Sequence, residues 1–293
     1  MSAKTAIAGL AVLLGTTLPL TCAASAPEPA ATVFSLDQCA DQFVLALAPR
    51  AAIVGLSPRA RNPDSYLAPQ AKGLPVRRAD AESLLTTHPT IVVRYWGGDG
   101  ALLRLLDRRG VRVVRIEDAI DFSGVRRNVR TVALALGNVQ GGEALIGRLD
   151  ANLAAARGAW HGRGALYLTS GGATAGSGTL IDAILAAAGL RNLAGGAGYR
   201  SVSLEKLELD PPDAVVLGFF DPASQAQVHW GPGSHGALRR LVSRRTMVSL
   251  PGALLGCPAW FSGEAVAQLA AAAPSRASAR CGNSSTASGP PCA

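Results

Sequence analysis

Residues 81–93 read AESLLTTHPTIVV and residues 204–216 read LEKLELDPPDAVV, with a constant offset of 123 positions. Each segment predicts a short helix followed by proline and a buried β-strand, because proline ends helices and valine favours strands. Many unrelated helix–strand units have this general form, which leaves coincidence open. Because five identities fall in register, we favour an internal duplication with one copy in each half of the chain.

Short β-branched runs alternate with helical stretches in both halves, which is the pattern of βα units in a parallel sheet. Between the halves lies a strandless stretch whose apolar residues recur at helical spacing and predict a helix over about 140–157. Such a helix would be about 27 Å long, enough to cross from one lobe to the next. The sequence therefore predicts an α/β protein of two lobes joined by one long linking helix. The predicted strands cover residues 32–36, 52–56, 91–94, 111–116, 165–169, 213–217 and 247–250.

The composition is that of a compact globular protein. The chain has 293 residues, 48% hydrophobic and 16% charged, with a mean hydropathy of +0.24, which excludes wholesale disorder and coiled-coil architecture. Its net charge is +8, but the basic residues are mostly scattered arginines, and lysine occurs only at positions 4, 72 and 206. With 5% aromatic residues and no stacking platform or zinc-finger spacing, we expect no nucleic-acid partner.

The N-terminal residues predict export from the cytoplasm. Lys4 precedes an uncharged stretch with an apolar centre and then small residues, the three-part pattern of a secretory signal peptide. We expect cleavage near Ala24; an uncleaved membrane anchor and a lipid-modified Cys22 are the alternatives. At the other end, residues 274–293 have the Ser/Pro/Gly composition of a disordered tail.

Several segments together resemble one protein family. They are VFSLDQCADQFVLALAPRAAIVGLSPRARNP at residue 33, the AES…HPTIVV segment, TAGSGTLIDAILAAAGLRNL at residue 174 and LPGALLGCPAW at residue 250. In order and spacing they are similar to the class III periplasmic solute-binding proteins of ABC importers, in the branch that captures cobalamin, ferric siderophores or haem. The resemblance implies two Rossmann-like lobes with mainly parallel sheets, a ligand cleft between them, and docking onto a permease and ATPase complex of the inner membrane.

This resemblance also assigns the parts of the chain and the protein's setting. It implies a periplasmic protein, expected to be a monomer, that delivers a metal chelate or corrinoid without a cofactor or chemistry of its own. An exported hydrolase-like enzyme on a related fold is the alternative. The expected parts are a signal peptide at 1–24, an N-terminal lobe at 27–138, a linking helix at 139–158, a C-terminal lobe at 159–273 and a tail at 274–293.

Sequence motifs for catalysis are incomplete. The Gly-rich loop around Ser177 precedes a helix, but position 181 is isoleucine and Ala175 replaces the first glycine of a nucleophile elbow. Neither a dinucleotide fingerprint nor a serine hydrolase motif is formed. The four histidines show no spacing that places two of them on one helical face, so we expect no histidine-bound metal site.

The ligand site is expected beyond the carboxyl ends of the parallel strands. Aromatic residues are few in this chain, yet many fall in or near those loops, where their rings suit a large, flat, partly apolar ligand. Some of them are expected to be ordinary core residues, and the arginines there can equally be solvated surface. The candidate ligand-binding residues are Arg59, Tyr66, Tyr95, Trp96, Thr174, Phe220, Trp230 and Trp260.

Two further pairs of residues are assigned with the help of the resemblance. Cys39 and Cys257 follow the first and last strands and match cysteines of the resembled branch, which implies a disulfide near the cleft floor; two buried thiols are the alternative. Glu82 and Glu205 occupy equivalent places in the two copies of the repeat. They resemble the family's permease-docking acids, one per lobe tip, whereas a helix-dipole role explains either one alone.

Overall fold

The computed structural model of the chain describes residues 31–202, 212–220 and 246–274. Within this part, two four-stranded sheets of parallel strands confirm the predicted α/β class, one sheet in each half. No helix of these three ranges combines the length and apolar character needed to cross a membrane. The predicted signal peptide, most of the predicted tail, Trp230 and Glu205 lie outside the described residues.

The N-terminal lobe is built on a sheet with the strand order β2-β1-β3-β4. The first three strands are largely buried and the last is largely exposed. An Asp caps each helix by accepting a hydrogen bond from a first-turn N–H group. The elements are β1 (Val33–Ser35), α1 (Gln38–Leu47), β2 (Ile53–Gly55), α2 (Ala81–Thr87), β3 (Ile91–Arg94), α3 (Gly100–Arg108), β4 (Arg112–Arg115) and α4 (Phe122–Ala135).

Both faces of this sheet are covered, as expected for parallel strands. Val33 and Val93 point to the main core, whereas Phe34 and Val92 pack with Leu84 in a second cluster on the opposite face. Successive strand residues therefore pack against helices on opposite faces of the sheet, because side chains alternate across a sheet.

The C-terminal lobe has a sheet with the order β10-β9-β5-β7 and a separate antiparallel ribbon of β6 and β8. The predicted strands of this half are present, whereas the ribbon and the two-residue β7 were not predicted. The elements are β5 (Gly164–Thr169), β6 (Ala173–Ala175), α6 (Leu180–Ala187), β7 (Arg191–Asn192), β8 (Tyr199–Ser201), β9 (Ala214–Gly218), β10 (Thr246–Leu250), α7 (Gly252–Leu255) and α8 (Ser262–Ala271).

One long helix, α5 (Val139–Ala156), connects the two lobes. Its N-cap residue Asn138 donates from Nδ2 to the carbonyl oxygen of Leu47, 2.9 Å away, which ties the start of α5 to the end of α1. On the other side α5 packs closely on α8, where a Cβ at Gly263 would lie 2.9 Å from Leu149 Cδ1. The helix is therefore packed along its length against both lobes.

The two lobes also share a core. The largest cluster of buried apolar residues runs without a break from the N-terminal sheet to α8. At its centre Phe43 and Tyr66 of the first lobe meet Trp260 and Phe261 of the second. The Phe43 and Trp260 rings meet edge-on with centroids 5.5 Å apart, and Tyr66 stacks on Phe261 at 4.3 Å. This aromatic contact (the hinge cluster) fixes the lobes against each other.

Candidate ligand-binding cleft

A cavity of about 260 Å³ lies between the two lobes. Its N-terminal wall follows strands β3 and β4, and its C-terminal wall comes from the start of α6, the ribbon strand β8 and the loop after α7. The cavity thus lies beyond the carboxyl ends of β3, β4 and β10, as the sheet topology predicts. It is lined by Tyr95 and by residues 118–120, 178–180, 198–199 and 255–258.

A buried carboxylate shapes the N-terminal wall. Asp37 caps α1 through Oδ1, and its Oδ2 accepts hydrogen bonds from the backbone N–H groups of Tyr95 at 2.7 Å, Trp96 at 3.2 Å and Gly97 at 2.9 Å. Position 97 must be glycine, because a Cβ there would lie 2.6 Å from the Leu36 carbonyl oxygen. This fixed turn holds the Tyr95 ring half-buried and leaves 55% of Trp96 exposed.

Two tyrosines from opposite lobes face the cavity beside one carboxylate. The Tyr95 hydroxyl donates to Asp118 Oδ1 at 2.8 Å, and Tyr199 of the other lobe lies near enough to feel the charge of Asp118. Burial raises the pKa of Tyr95, and the hydrogen bond to Asp118 raises it further; burial and then the Asp118 charge raise the pKa of Tyr199. Both phenols are therefore neutral at physiological pH.

The amino end of α6 forms part of the opposite wall. Thr179 caps it, accepting from the Asp182 N–H at 3.2 Å, and is itself buried. Gly178 before it has φ of 73°, a conformation that favours glycine. The first N–H groups of a helix favour negative charge, so this end of the cavity suits an acidic group of a ligand.

A second buried carboxyl lies beneath the cleft loops. Asp41 on α1 accepts from the Ser57 N–H at 2.9 Å, the Ser57 hydroxyl at 2.5 Å and the Ser35 hydroxyl. Burial raises the pKa of Asp41 to about 7, although these three donors oppose the shift. This group links the first strand of the lobe to the loop after β2.

The disulfide expected from the resemblance is present. Cys39 at the start of α1 and Cys257 after α7 are bonded, with their Cα atoms 5.4 Å apart and 218 positions between them in sequence. Because Cys257 also lines the cavity, the disulfide joins the lobes at the cleft floor.

Two residues expected at the cleft lie in the hinge instead. Trp260 is only 4% exposed and packs in the hinge cluster, while Tyr66 donates its hydroxyl hydrogen to Glu264 of α8. Both border a second cavity of about 390 Å³ beside α5, not the cleft. Trp260 follows the last strand, but α7 turns the chain back, so that its ring reaches α1.

The other expected ligand residues are scattered. Arg59 is half-buried in the loop after β2 and does not line the cavity, and Phe220 packs against the outer face of the second sheet, near Leu166. Thr174 is buried at 2% exposure within the ribbon, and in the described part of the chain its Oγ1 has no hydrogen-bond partner. Of the expected set, Tyr95 lines the cavity, and Trp96 is the exposed residue that follows it in sequence.

Glu82 is exposed in the first turn of α2. It is not the cap of that helix, because Asp80 Oδ1 accepts from the Ser83 N–H at 2.8 Å. Its carboxylate is therefore available at the surface of the first lobe.

Asp118 and Tyr199 were missed in the sequence. Asp118 comes three residues after β4, so the same strand-end argument that selected Tyr95 also selects Asp118. Tyr199 lies in the short strand β8, after a glycine-rich run whose sequence carries no strand signal.

Comparison with protein families gives one match, the family described as periplasmic binding protein, over residues 33–219. No curated protein sequence matches the chain significantly.

Solved structures of periplasmic binding proteins share the fold. The haem-binding protein RhuT from Roseiflexus sp. RS-1, in apo form, has 26% identity and a TM-score of 0.65, with 83% of this chain and 98% of that chain covered. A haem-binding protein from Pseudomonas aeruginosa has 28% identity and a TM-score of 0.61, with 83% and 92% covered. The vitamin B12-binding protein BtuF of Vibrio cholerae has 17% identity and a TM-score of 0.59, with 83% and 96% covered. At 17% identity the last comparison concerns the fold alone.

Proposed function

The chain belongs to the periplasmic binding protein family, and from this premise we propose that its cleft captures ferric haem and delivers it to an ABC importer. Proteins of this family are solute-binding components with permease and ATPase partners and not enzymes, and the family implies a periplasmic location. The choice of haem among the ligands of the family is the part we propose.

The observation that carries the proposal is the pair of tyrosines, Tyr95 and Tyr199, that line one cavity from opposite lobes. A phenolate oxygen is among the axial ligands that proteins use to hold haem iron. Ring stacking is supplied nearby by the exposed Trp96 and apolar contact by Ile120, each 55% exposed. The two solved relatives with 26% and 28% identity are haem-binding proteins, which supports the same ligand.

A titration of the purified protein tests the proposal. Ferric haem, cobalamin and a ferric siderophore are added separately, and quenching of tryptophan fluorescence is followed together with visible absorption. We expect saturable binding of ferric haem at micromolar or lower concentration, with a phenolate-to-iron charge-transfer absorption. Saturable binding of cobalamin or the siderophore without any response to haem would overturn the choice of ligand.

A matched pair of variants identifies the iron contact. Tyr95→Phe keeps the ring and removes the oxygen, so we expect at least about a tenfold loss of ferric haem affinity, the scale on which metal affinity falls when a group that supports the metal is removed. Tyr66→Phe makes the same chemical change in the second cavity and should leave ferric haem affinity unchanged. Equal losses in both variants would contradict the assignment of Tyr95.

A further inference from the structure

We propose that Asp118 is a positioning residue that turns the Tyr95 oxygen into an acceptor for the ligand's iron, so that the cleft prefers an iron-loaded ring to the same ring without metal. The inference rests on the proposed function, because it assigns the group that prepares Tyr95 for a ferric ligand. Asp118 lines the same cavity as Tyr95 and comes from the neighbouring strand end.

In the hydrogen bond between Tyr95 and Asp118, the phenol is the donor and the carboxylate is the acceptor. A phenol has one hydrogen to donate, and its oxygen also carries lone pairs that can accept. In this structure the hydrogen of Tyr95 is committed to Asp118 Oδ1 at 2.8 Å. The lone pairs are therefore what Tyr95 offers to the cavity. When iron binds this oxygen, the O–H bond breaks and the proton passes along the existing hydrogen bond to Asp118 Oδ1, which leaves the phenolate on the metal.

Both ends of this hydrogen bond are held by buried groups. On one side, the Tyr95 N–H donates to buried Asp37 at 2.7 Å. On the other, Asn128 of α4, only 4% exposed, brackets the residue before Asp118. Its Oδ1 accepts from the Glu117 N–H at 3.0 Å, and its Nδ2 donates to the Glu117 carbonyl oxygen at 2.8 Å. The orientation of the phenol is thus set before a ligand arrives, which lowers the entropic cost of binding.

This arrangement gives a specific form of selectivity. An iron-loaded and an iron-free porphyrin offer the same flat face to Trp96 and Ile120, so stacking and apolar burial do not separate them. The two porphyrins differ in that only the iron-loaded one has a metal atom that can bind the Tyr95 oxygen. Without Asp118 the phenol can rotate its hydrogen toward the cavity, and the advantage of the metal-loaded ring falls.

The experiment measures two affinities in the full-length protein with and without Asp118. Ferric protoporphyrin IX and metal-free protoporphyrin IX are titrated into wild type, Asp118→Ala and Asp118→Asn. We expect Asp118→Ala to weaken the ferric form by at least about tenfold and the metal-free form by less than about twofold. Asp118→Asn keeps an acceptor oxygen in place and should recover part of the ferric affinity. Asp107→Ala, on the exposed surface of α3, is the matched control and should change neither affinity.

Three outcomes would overturn the assignment, and they are distinguishable. Unchanged ferric affinity and charge-transfer absorption in Asp118→Ala would exclude a role for Asp118. Equal losses of affinity for both porphyrins would show that Asp118 contacts the ring in general and does not act through the metal. The melting temperature of the variant separates this result from a loss of affinity caused by unfolding. If wild type binds neither porphyrin, the proposed function itself fails, and the role of Asp118 fails with it.

Discussion

Trp96 has an exposed ring on a backbone that a buried carboxylate holds in place. Asp37 fixes the N–H group of Trp96, while 55% of the residue remains exposed beside the cleft. Exposed tryptophan contributes little to folding, but a stacked ring contributes to binding. A residue so arranged is expected to act on the ligand more than on stability.

Trp96→Ala should therefore weaken ferric haem binding by at least about 1 kcal/mol, with a melting temperature close to that of wild type. Fluorescence or absorption titration measures the first quantity, and thermal unfolding followed by circular dichroism measures the second. A variant with normal ligand affinity but a lower melting temperature would show that Trp96 contributes to core packing.

Asp41 gives the protein a pH-dependent stability. Its pKa is about 7 in the folded state, above the ordinary value of 3.8, so the folded protein holds this proton more tightly than the unfolded chain does. The contribution to stability is fully present below about pH 4 and is lost as the pH rises through about 7. Between these limits the unfolding free energy should fall by up to about 1.4 kcal/mol per pH unit.

Asp41→Asn should flatten this slope, because the amide mimics the protonated acid and still accepts from Ser57. Denaturant unfolding at several pH values from 4 to 8 gives the unfolding free energy of both proteins. The other carboxyl groups contribute equally to wild type and variant, so the difference between the two pH profiles isolates Asp41. Parallel pH profiles for the two proteins would exclude Asp41 as the source.

At the scale of elements, strands made of β-branched runs were predictable and the antiparallel ribbon was not. Residues 91–93 of β3 and all residues of β9 are buried runs of Ala, Gly, Val, Ile and Leu, which is a local signal. By contrast, β6 and β8 are three residues each and pair across a gap in sequence, so only the tertiary contact defines them. Tyr199 was missed for this reason, since nothing local marks its strand.

The site shows the same division. Tyr95 and Trp96 directly follow a predicted strand, and residues at the carboxyl ends of parallel strands are expected at the cleft; Tyr95 lines the cavity. Trp260 also follows a strand in sequence, yet it packs edge-on against Phe43, which is more than two hundred positions away. Contacts of this range depend on how the lobes meet, which periodicity and spacing do not encode.

The disulfide is the covalent counterpart of the hinge cluster. It joins the first turn of α1 to the loop after α7 and closes a loop of 218 positions. Replacing Cys39 and Cys257 by serine should lower the unfolding free energy by about 2–4 kcal/mol, because the unfolded chain gains freedom.

Two measurements check the disulfide. Thiol labelling of the intact protein under denaturing, non-reducing conditions should leave Cys39 and Cys257 unmodified, and denaturant unfolding gives the stability difference. Labelling of both residues would show that they are free thiols.

At the scale of the whole molecule, three features oppose a hinge motion. The core is continuous across the lobes, α5 packs against both of them, and the disulfide joins them at the cleft floor. We therefore expect ligand binding to move the described backbone by about 1 Å or less, as in pre-organised complexes. Small-angle scattering should give the same radius of gyration with and without ferric haem, and a clear compaction would contradict this rigidity.

Delivery to the importer depends on the outer surface of a rigid body. Glu82 lies exposed on α2, where Asp80 already caps the helix, and Glu205 is its equivalent in the repeat, outside the described residues. We propose that these two carboxylates, one per lobe, pair with basic residues on the two permease subunits. Such charge pairs give orientation and association rate more than affinity, and they weaken with salt.

Glu82→Arg combined with Glu205→Arg should abolish ligand uptake in cells, while ferric haem affinity and melting temperature stay close to wild type. Reversed charges repel basic residues of the permease, whereas Glu82 does not line the cleft cavity and the Asp80 cap of α2 is untouched. Asp107→Arg is a control, because Asp107 is exposed on α3 and does not line the cleft cavity. It changes the net charge by the same amount as each single docking variant and should leave uptake intact. Normal uptake by the double variant, or a fall in melting temperature that accounts for the loss, would contradict the docking role of the two glutamates.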